Sequence, residues 1–273
     1  MRLIRRYPTV SFWVIAFAIA WGIGFTAGVD PEVIADSYSP VAAFLIDRIP
    51  KFAITIAGLV VVFGGGVDRK AFMRRLTTWK VPARWYVLAL GGPLLAYGVG
   101  AWLAPGAKTV SLDAQLVGAA LFGAETGLVT YLFTRAGLGE EPGLRGFALA
   151  RHEQRLSPRR AALLMGGLWG AWHLPVLLDR DVVSVLAFLL SVIALTFVFS
   201  WVFHRSGESV LVVALLHSAI NAFDDVWETV IPELTTVDWE IPFVAITFVA
   251  GIAAAVALKS TVGRADVGME GNA

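Results

Sequence analysis

Eight apolar runs recur along this chain, most of them about as long as a membrane-crossing helix, and charged connections separate them. About 20 predominantly apolar residues make one spanning helix. In lipid the backbone must satisfy its own hydrogen bonds, so runs of this kind pack together as helices. The runs are Val10–Gly28, Ala53–Gly66 with Phe44–Ile49 extending its outer end, and Trp85–Leu103. A fourth starts at Leu116 and heads toward Glu140, followed by Ala161–Leu178, Val183–Phe203, Val210–Val226 and Ile241–Leu258. The expected fold class is all-α: a polytopic integral membrane helical bundle with about eight transmembrane helices. A single transmembrane domain is expected over residues 1–259. The polar, aperiodic stretch 260–273 is expected as a disordered cytoplasmic tail.

Composition agrees. The 273 residues are 57% hydrophobic and 16% charged, against about 45–50% and about 25% in soluble domains. The net charge of +1 gives no reason for a nucleic-acid partner, and membrane lipid is the expected surrounding. There is no cysteine, which removes disulfides, thiolate metal sites and a cysteine nucleophile. Nothing in the sequence sets an oligomeric state. Arg2, Arg5 and Arg6 precede the first run as they would in a signal peptide. That run is long enough to span and no small-residue cleavage site follows it, so a retained signal anchor is expected.

The charges are sorted by loop. Arg69, Lys70, Arg74, Arg75, Lys80 and Arg84 follow the second run, and Arg151, Arg155, Arg159 and Arg160 follow the fourth. His204 with Arg205 and Lys259 with Arg264 follow the sixth and eighth. The alternate loops hold Asp30, Glu32 and Asp36, then Asp179 and Asp181, then Glu233, Asp238 and Glu240, diluted by Arg48, Lys51, Lys108 and Arg180, none of which forms a basic cluster. The positive-inside rule then puts both termini in the cytoplasm. Trp79, Trp85, Tyr86, Trp227 and Trp239 lie near run ends, where interfacial anchoring is expected.

Polar residues interrupt three of the runs. An ionisable group at the bilayer centre costs about 2.5–3.5 kcal/mol on insertion scales, and such groups usually mark a functional site. The first element is Glu140-Glu141-Pro142-Gly143-Leu144-Arg145. Glu141 and Arg145, four apart, share a helix face and can pair. Glu140 points elsewhere and is left free to face a cavity. Gly137, Gly139, Pro142 and Gly143 surround the two acids, and a straight helix from Asp113 to Arg151 would be about 57 Å long. A bend or break is therefore expected at the acidic pair, with Pro142 opening a new helical piece. The second element is Trp169-Gly170-Ala171-Trp172-His173-Leu174-Pro175, in which the Trp169 ring shares a face with His173 and Pro175 kinks the helix. The third is His217-Ser218-Ala219-Ile220-Asn221, whose His217 and Asn221 project from one face and can donate to a developing oxyanion. Taken singly, these elements also fit an ion pair, a packing histidine and interhelical hydrogen bonding. Counted from the basic side, His173 and His217 lie about 15 Å deep at the helical rise. Glu140 joins them only if the piece from Pro142 to Ala150 is itself embedded.

These motifs, in this order from about Leu116 to Asn221, resemble the CPBP/ABI family of integral-membrane proteins, which includes the type II CAAX prenyl endopeptidases. The pattern is EExxxR, an aromatic four residues before a histidine, then HxxxN. Gly139 to Phe147 and Trp169 to Pro175 look like the bacterial branch. Trp169 stands where many members have Phe, and Leu144 where close relatives often have Trp; both are packing or pocket positions. The resemblance implies a catalytic core over about 116–226 and location in a bacterial plasma membrane. It implies hydrolysis of a peptide bond in a membrane-associated peptide or protein. Glu140 and His173 would activate a water, and His217 and Asn221 would stabilise the oxyanion. Glu141 and Arg145 would hold the acidic turn. If a metal takes part, zinc is expected, on Glu140, His173 and His217. Two other readings stand beside the protease. One is a non-catalytic scaffold or bacteriocin self-immunity protein of the same fold. The other is a proton pathway or transporter, for which the inverted repeats common in transporters are missing.

Overall fold

The computed structural model describes residues 2–27, 39–65, 67, 69–103, 114–230 and 236–262. Among them all regular structure is helical, as the apolar runs require. The elements are α1 (Arg2–Arg6), α2 (Pro8–Ala27), α3 (Pro40–Lys51), α4 (Ala53–Gly65), α5 (Arg69–Thr77) and α6 (Arg84–Leu103). There follow α7 (Ala114–Thr134), α8 (Ala136–Glu141), a π-helix (Pro142–Leu149) and α9 (Ala150–His152). Then come α10 (Pro158–Trp172), a 3₁₀ turn (Leu174–Leu177), α11 (Val182–Arg205), α12 (Val210–Val230) and α13 (Thr236–Val262).

Local chemistry sets several boundaries. Asp181 caps α11, its carboxylate accepting from the amides of Val183 at 2.9 Å and Ser184 at 3.1 Å. Ser39 caps α3 in the same way, with Pro40 at the first helical position. The outer extension of the second run is thus a helix of its own, joined to α4 through Phe52. The fourth run breaks first at Arg135, whose backbone leaves the helical region (φ −143°, ψ −121°), ahead of the acidic pair. Pro142 does open a new piece, and that piece is π-helical. Pro142 has no N–H to give the carbonyl of Leu138 four residues back. The Thr55 hydroxyl donates to that carbonyl instead, at 2.9 Å. Downstream, the Arg75 guanidinium donates to the Gly146 carbonyl at 3.2 Å. Helix α10 ends at His173, and the Pro175 segment continues as the 3₁₀ turn.

The π-helix lies in the interior. It packs against α4, α5, α10, α11 and α12, and all eight of its residues are buried. Phe12, Phe147, Met165, Trp169, Phe199 and Phe203 belong to the apolar core around it. The outward surface carries large exposed apolar side chains, among them Val14, Val87, Leu95, Val183 and Val249. Helix α11 is long and apolar enough to cross a membrane by length and composition. Pro8–Ile23, Ala53–Gly65 and Pro242–Leu258 are shorter apolar helical stretches.

Two sequence expectations change. Trp85 is buried in the core, edge-on to Trp201 at 5.5 Å, and is not an interfacial anchor. Trp79 is exposed, with the Tyr86 hydroxyl donating to its carbonyl at 2.5 Å. Helix α13 runs to Val262, so the start of the expected tail is helical. Residues 263–273 lie outside the described residues, as do Asp30, Glu32, Asp36, Glu233 and the side chains of Trp227 and Trp239.

Candidate active site

Helix α8 and the π-helix reach their place by touching the α3–α4 backbone. A Cβ on Gly139 would lie 2.5 Å from the Lys51 carbonyl oxygen, and one on Gly143 would overlap that of Ile54. Only hydrogen at these two positions, four apart, allows the acidic turn to press against α4. The sequence placed these glycines only beside an expected bend; the structure uses them for close approach. The turn is buried within the protein, with Glu140 joined to Trp169 and Glu141 to His217.

Glu141 and Arg145 are fully buried and paired, Oε1 accepting from Nη1 at 3.0 Å. The same Oε1 lies 2.8 Å from His217 Nδ1. Glu141 therefore joins the acidic turn to α12 as well as holding Arg145. The guanidinium lies over the rings of Phe199 (4.9 Å) and Trp169 (5.4 Å). These cation–π contacts cover a group whose Nε and Nη2 find no hydrogen-bond partner among the described residues.

Glu140 is not free. Its Oε2 accepts from the Trp169 indole N–H at 2.6 Å, and the residue is only 7% exposed. His173 Nδ1 lies 2.8 Å from the Trp169 carbonyl oxygen. A carbonyl only accepts, so Nδ1 carries the proton and Nε2 of a neutral ring holds the lone pair. The His173 ring is boxed by Trp169, Trp172 and Phe188. His217 sits between Trp169 and Phe199, each at 5.2 Å. Of the six residues singled out, Glu140, Glu141, Arg145, His173 and His217 are thus knit together through Trp169 and Glu141. Asn221 follows one turn after His217 on α12, half-buried.

Sequence reasoning missed the hydrogen-bonding role of Trp169, given only a packing place, and the Phe199 ring over Arg145. The Trp169 role had a signal: an indole donates where phenylalanine cannot. Phe199 had none, being one apolar residue in an apolar helix. Each histidine has Nδ1 tied to an acceptor, as metal-bound imidazoles commonly do. Yet among the described residues no three His, Asp or Glu side chains form a group able to hold a metal ion. Glu140, His173 and His217 as arranged do not fit the expected zinc site.

An apolar cavity of about 490 Å³ lies between α6, α11, α12 and α13 and touches Leu216 and Ile220, but none of the six polar residues lines it.

Residues 122–223, which include all six, match the family model for type II CAAX prenyl endopeptidase Rce1-like proteins. The chain is also similar to the CAAX prenyl protease 2 of Methanococcus maripaludis, 26% identical over 103 residues. That match covers 34% of this chain and 38% of the relative, so it spans well under half of the relative's length.

Proposed function

We propose that the chain, whose residues 122–223 match the type II CAAX prenyl endopeptidase Rce1-like family model, is a CPBP-family intramembrane endopeptidase acting on a membrane-associated peptide or protein. The observation that supports this most is the convergence of three separated motifs on one enclosed cluster. Trp169 links Glu140 to His173, and Glu141 links Arg145 to His217. A bundle with ionisable groups inside and large apolar side chains outside suits a bilayer. The proposed arrangement has eight membrane segments: α2, α3 with α4, α6, α7 through α9, α10, α11, α12 and α13. Both termini are cytoplasmic.

In the proposed reaction a water oxygen bonds to the scissile carbonyl carbon while Glu140, assisted by His173, takes the water's proton. The carbonyl oxygen becomes an oxyanion that accepts hydrogen bonds from His217 and Asn221. With Nδ1–H donated to Glu141, His217 can donate from Nε2 only as the imidazolium, for which the Glu141 carboxylate is the counter-charge. The carbon–nitrogen bond then breaks, and the proton held by Glu140 passes to the leaving amine. Arg145 keeps Glu141 in place. No step is routed through a metal.

The test is cleavage of a prenylated, CAAX-ended peptide by the purified chain in lipid nanodiscs, with product termini read by mass spectrometry. Wild type is expected to cleave, and Glu140→Gln, His173→Ala and His217→Ala to lose cleavage while remaining folded. Exhaustive chelation is expected to leave turnover unchanged; loss restored by zinc would return the reaction to a metal. If wild type and Glu140→Gln also give identical membrane and secreted peptides in cells, the non-catalytic scaffold reading replaces the protease.

A further inference from the structure

Trp169 touches four of the six polar residues and does something different to each. Its indole N–H donates to Glu140 and its backbone carbonyl accepts from His173. Its ring packs edge-on to His217 and lies under the Arg145 guanidinium. The residue is only 2% exposed, so neither water nor a rotamer change readily replaces those contacts.

We propose that Trp169 is a positioning residue that sets which atoms of Glu140 and His173 meet the reacting water. The indole N–H occupies Glu140 Oε2, which leaves Oε1 to take the proton. The Trp169 carbonyl holds the His173 proton on Nδ1, which leaves the Nε2 lone pair. One residue thereby fixes both acceptors from the same helical turn. Glutamate has three rotatable side-chain bonds, and an unclamped carboxylate would sample orientations that do not face the water. Displacement of a reacting group by about 1 Å can cost about 100-fold in rate. Phenylalanine at this position would keep the ring contacts to His217 and Arg145 and the carbonyl bond to His173. It would lose only the N–H, leaving Glu140 Oε2 buried without its donor.

The inference rests on the proposed protease reading, so its test has two arms. In the first, Trp169→Phe is assayed on the prenylated, CAAX-ended peptide in nanodiscs. A fall in kcat of roughly 10- to 100-fold with KM within about twofold is expected, since positioning acts on the chemical step. Wild-type kcat would overturn the role. The second arm needs no activity. Among the 10 tryptophans, the ¹⁵N-indole resonance absent from Trp169→Phe identifies Trp169 Nε1–H. Glu140→Gln exchanges a charged acceptor for a neutral one and is expected to move that resonance more than any other indole's. No movement would overturn the clamp. If wild type does not cleave the peptide and the cell comparison with Glu140→Gln also shows no difference, the protease reading fails while the indole arm still decides the contact. If Trp169→Phe does not fold, the resonance is assigned by exchanging the other tryptophans in turn, and the Glu140→Gln shift carries the test.

Discussion

Arg145 concentrates the energetic risk of this interior at one side chain. It is fully buried, bonded to Glu141 through one nitrogen and held between two aromatic faces. Removing one member of a buried ion pair strands the other charge and costs about 3–5 kcal/mol. Arg145→Ala is therefore expected to lower stability by about that amount, since it leaves Glu141 with His217 alone and vacates the space between Phe199 and Trp169. Arg145→Lys should recover only part of the loss, because an ammonium lacks the planar face that suits both rings. Thermal unfolding in a fixed detergent measures both, and a wild-type midpoint for Arg145→Ala would contradict the ion-pair role. The pair itself was legible from the spacing of four residues. That Glu141 also bonds His217, 76 residues away, was not: helical periodicity orders neighbours on one helix and says nothing about which helix lies opposite.

The acidic turn depends on backbone contact between elements. Gly139 and Gly143 press on the carbonyls of Lys51 and Ile54, and Thr55 supplies the hydrogen bond that Pro142 cannot. From the basic α5, Phe72 packs on Gly146 and Arg75 bonds its carbonyl. Arg75 in turn pairs at 3.1 Å with Glu208, a non-glycine residue at φ 62°. The acidic turn is thus braced by Thr55 of α4 and by Phe72 and Arg75 of α5. Gly143→Ala is expected to cost at least the roughly 1–3 kcal/mol of an overpacked core, because the obstacle is a backbone oxygen that cannot rotate away. Gly167→Ala, in the interior of α10 with open space at its Cβ, is expected to be neutral or to gain up to about 1 kcal/mol. Comparing the two by thermal unfolding and cleavage separates close approach from helix propensity; equal effects would contradict it. From the sequence, glycines beside a proline read equally as breakers or contact points. The choice depends on α4, a partner that no local pattern names.

At the scale of the whole molecule, the helix order follows the apolar runs because each run is long enough to dictate its own secondary structure. The departures come where a run is interrupted. Residues 40–65 fold as two helices, the fourth run breaks at Arg135, and Trp85 turns inward although its position near a run end suggested an anchor. Hydropathy records how apolar a segment is and not which of its faces meets protein, so such details lie beyond it. Orientation rests on loop charge alone and makes a direct prediction. The chain has no cysteine, so one introduced cysteine gives an unambiguous label. Lys70→Cys, in the basic α5, should resist a membrane-impermeant maleimide in intact cells and react after lysis. Asp179→Cys, between the 3₁₀ turn and α11, should react in intact cells. The reverse pattern would invert the topology and put the acidic turn's basic brace outside the cell. Equal labelling of both sites in intact cells would remove the barrier between them, and with it the arrangement of eight spanning segments.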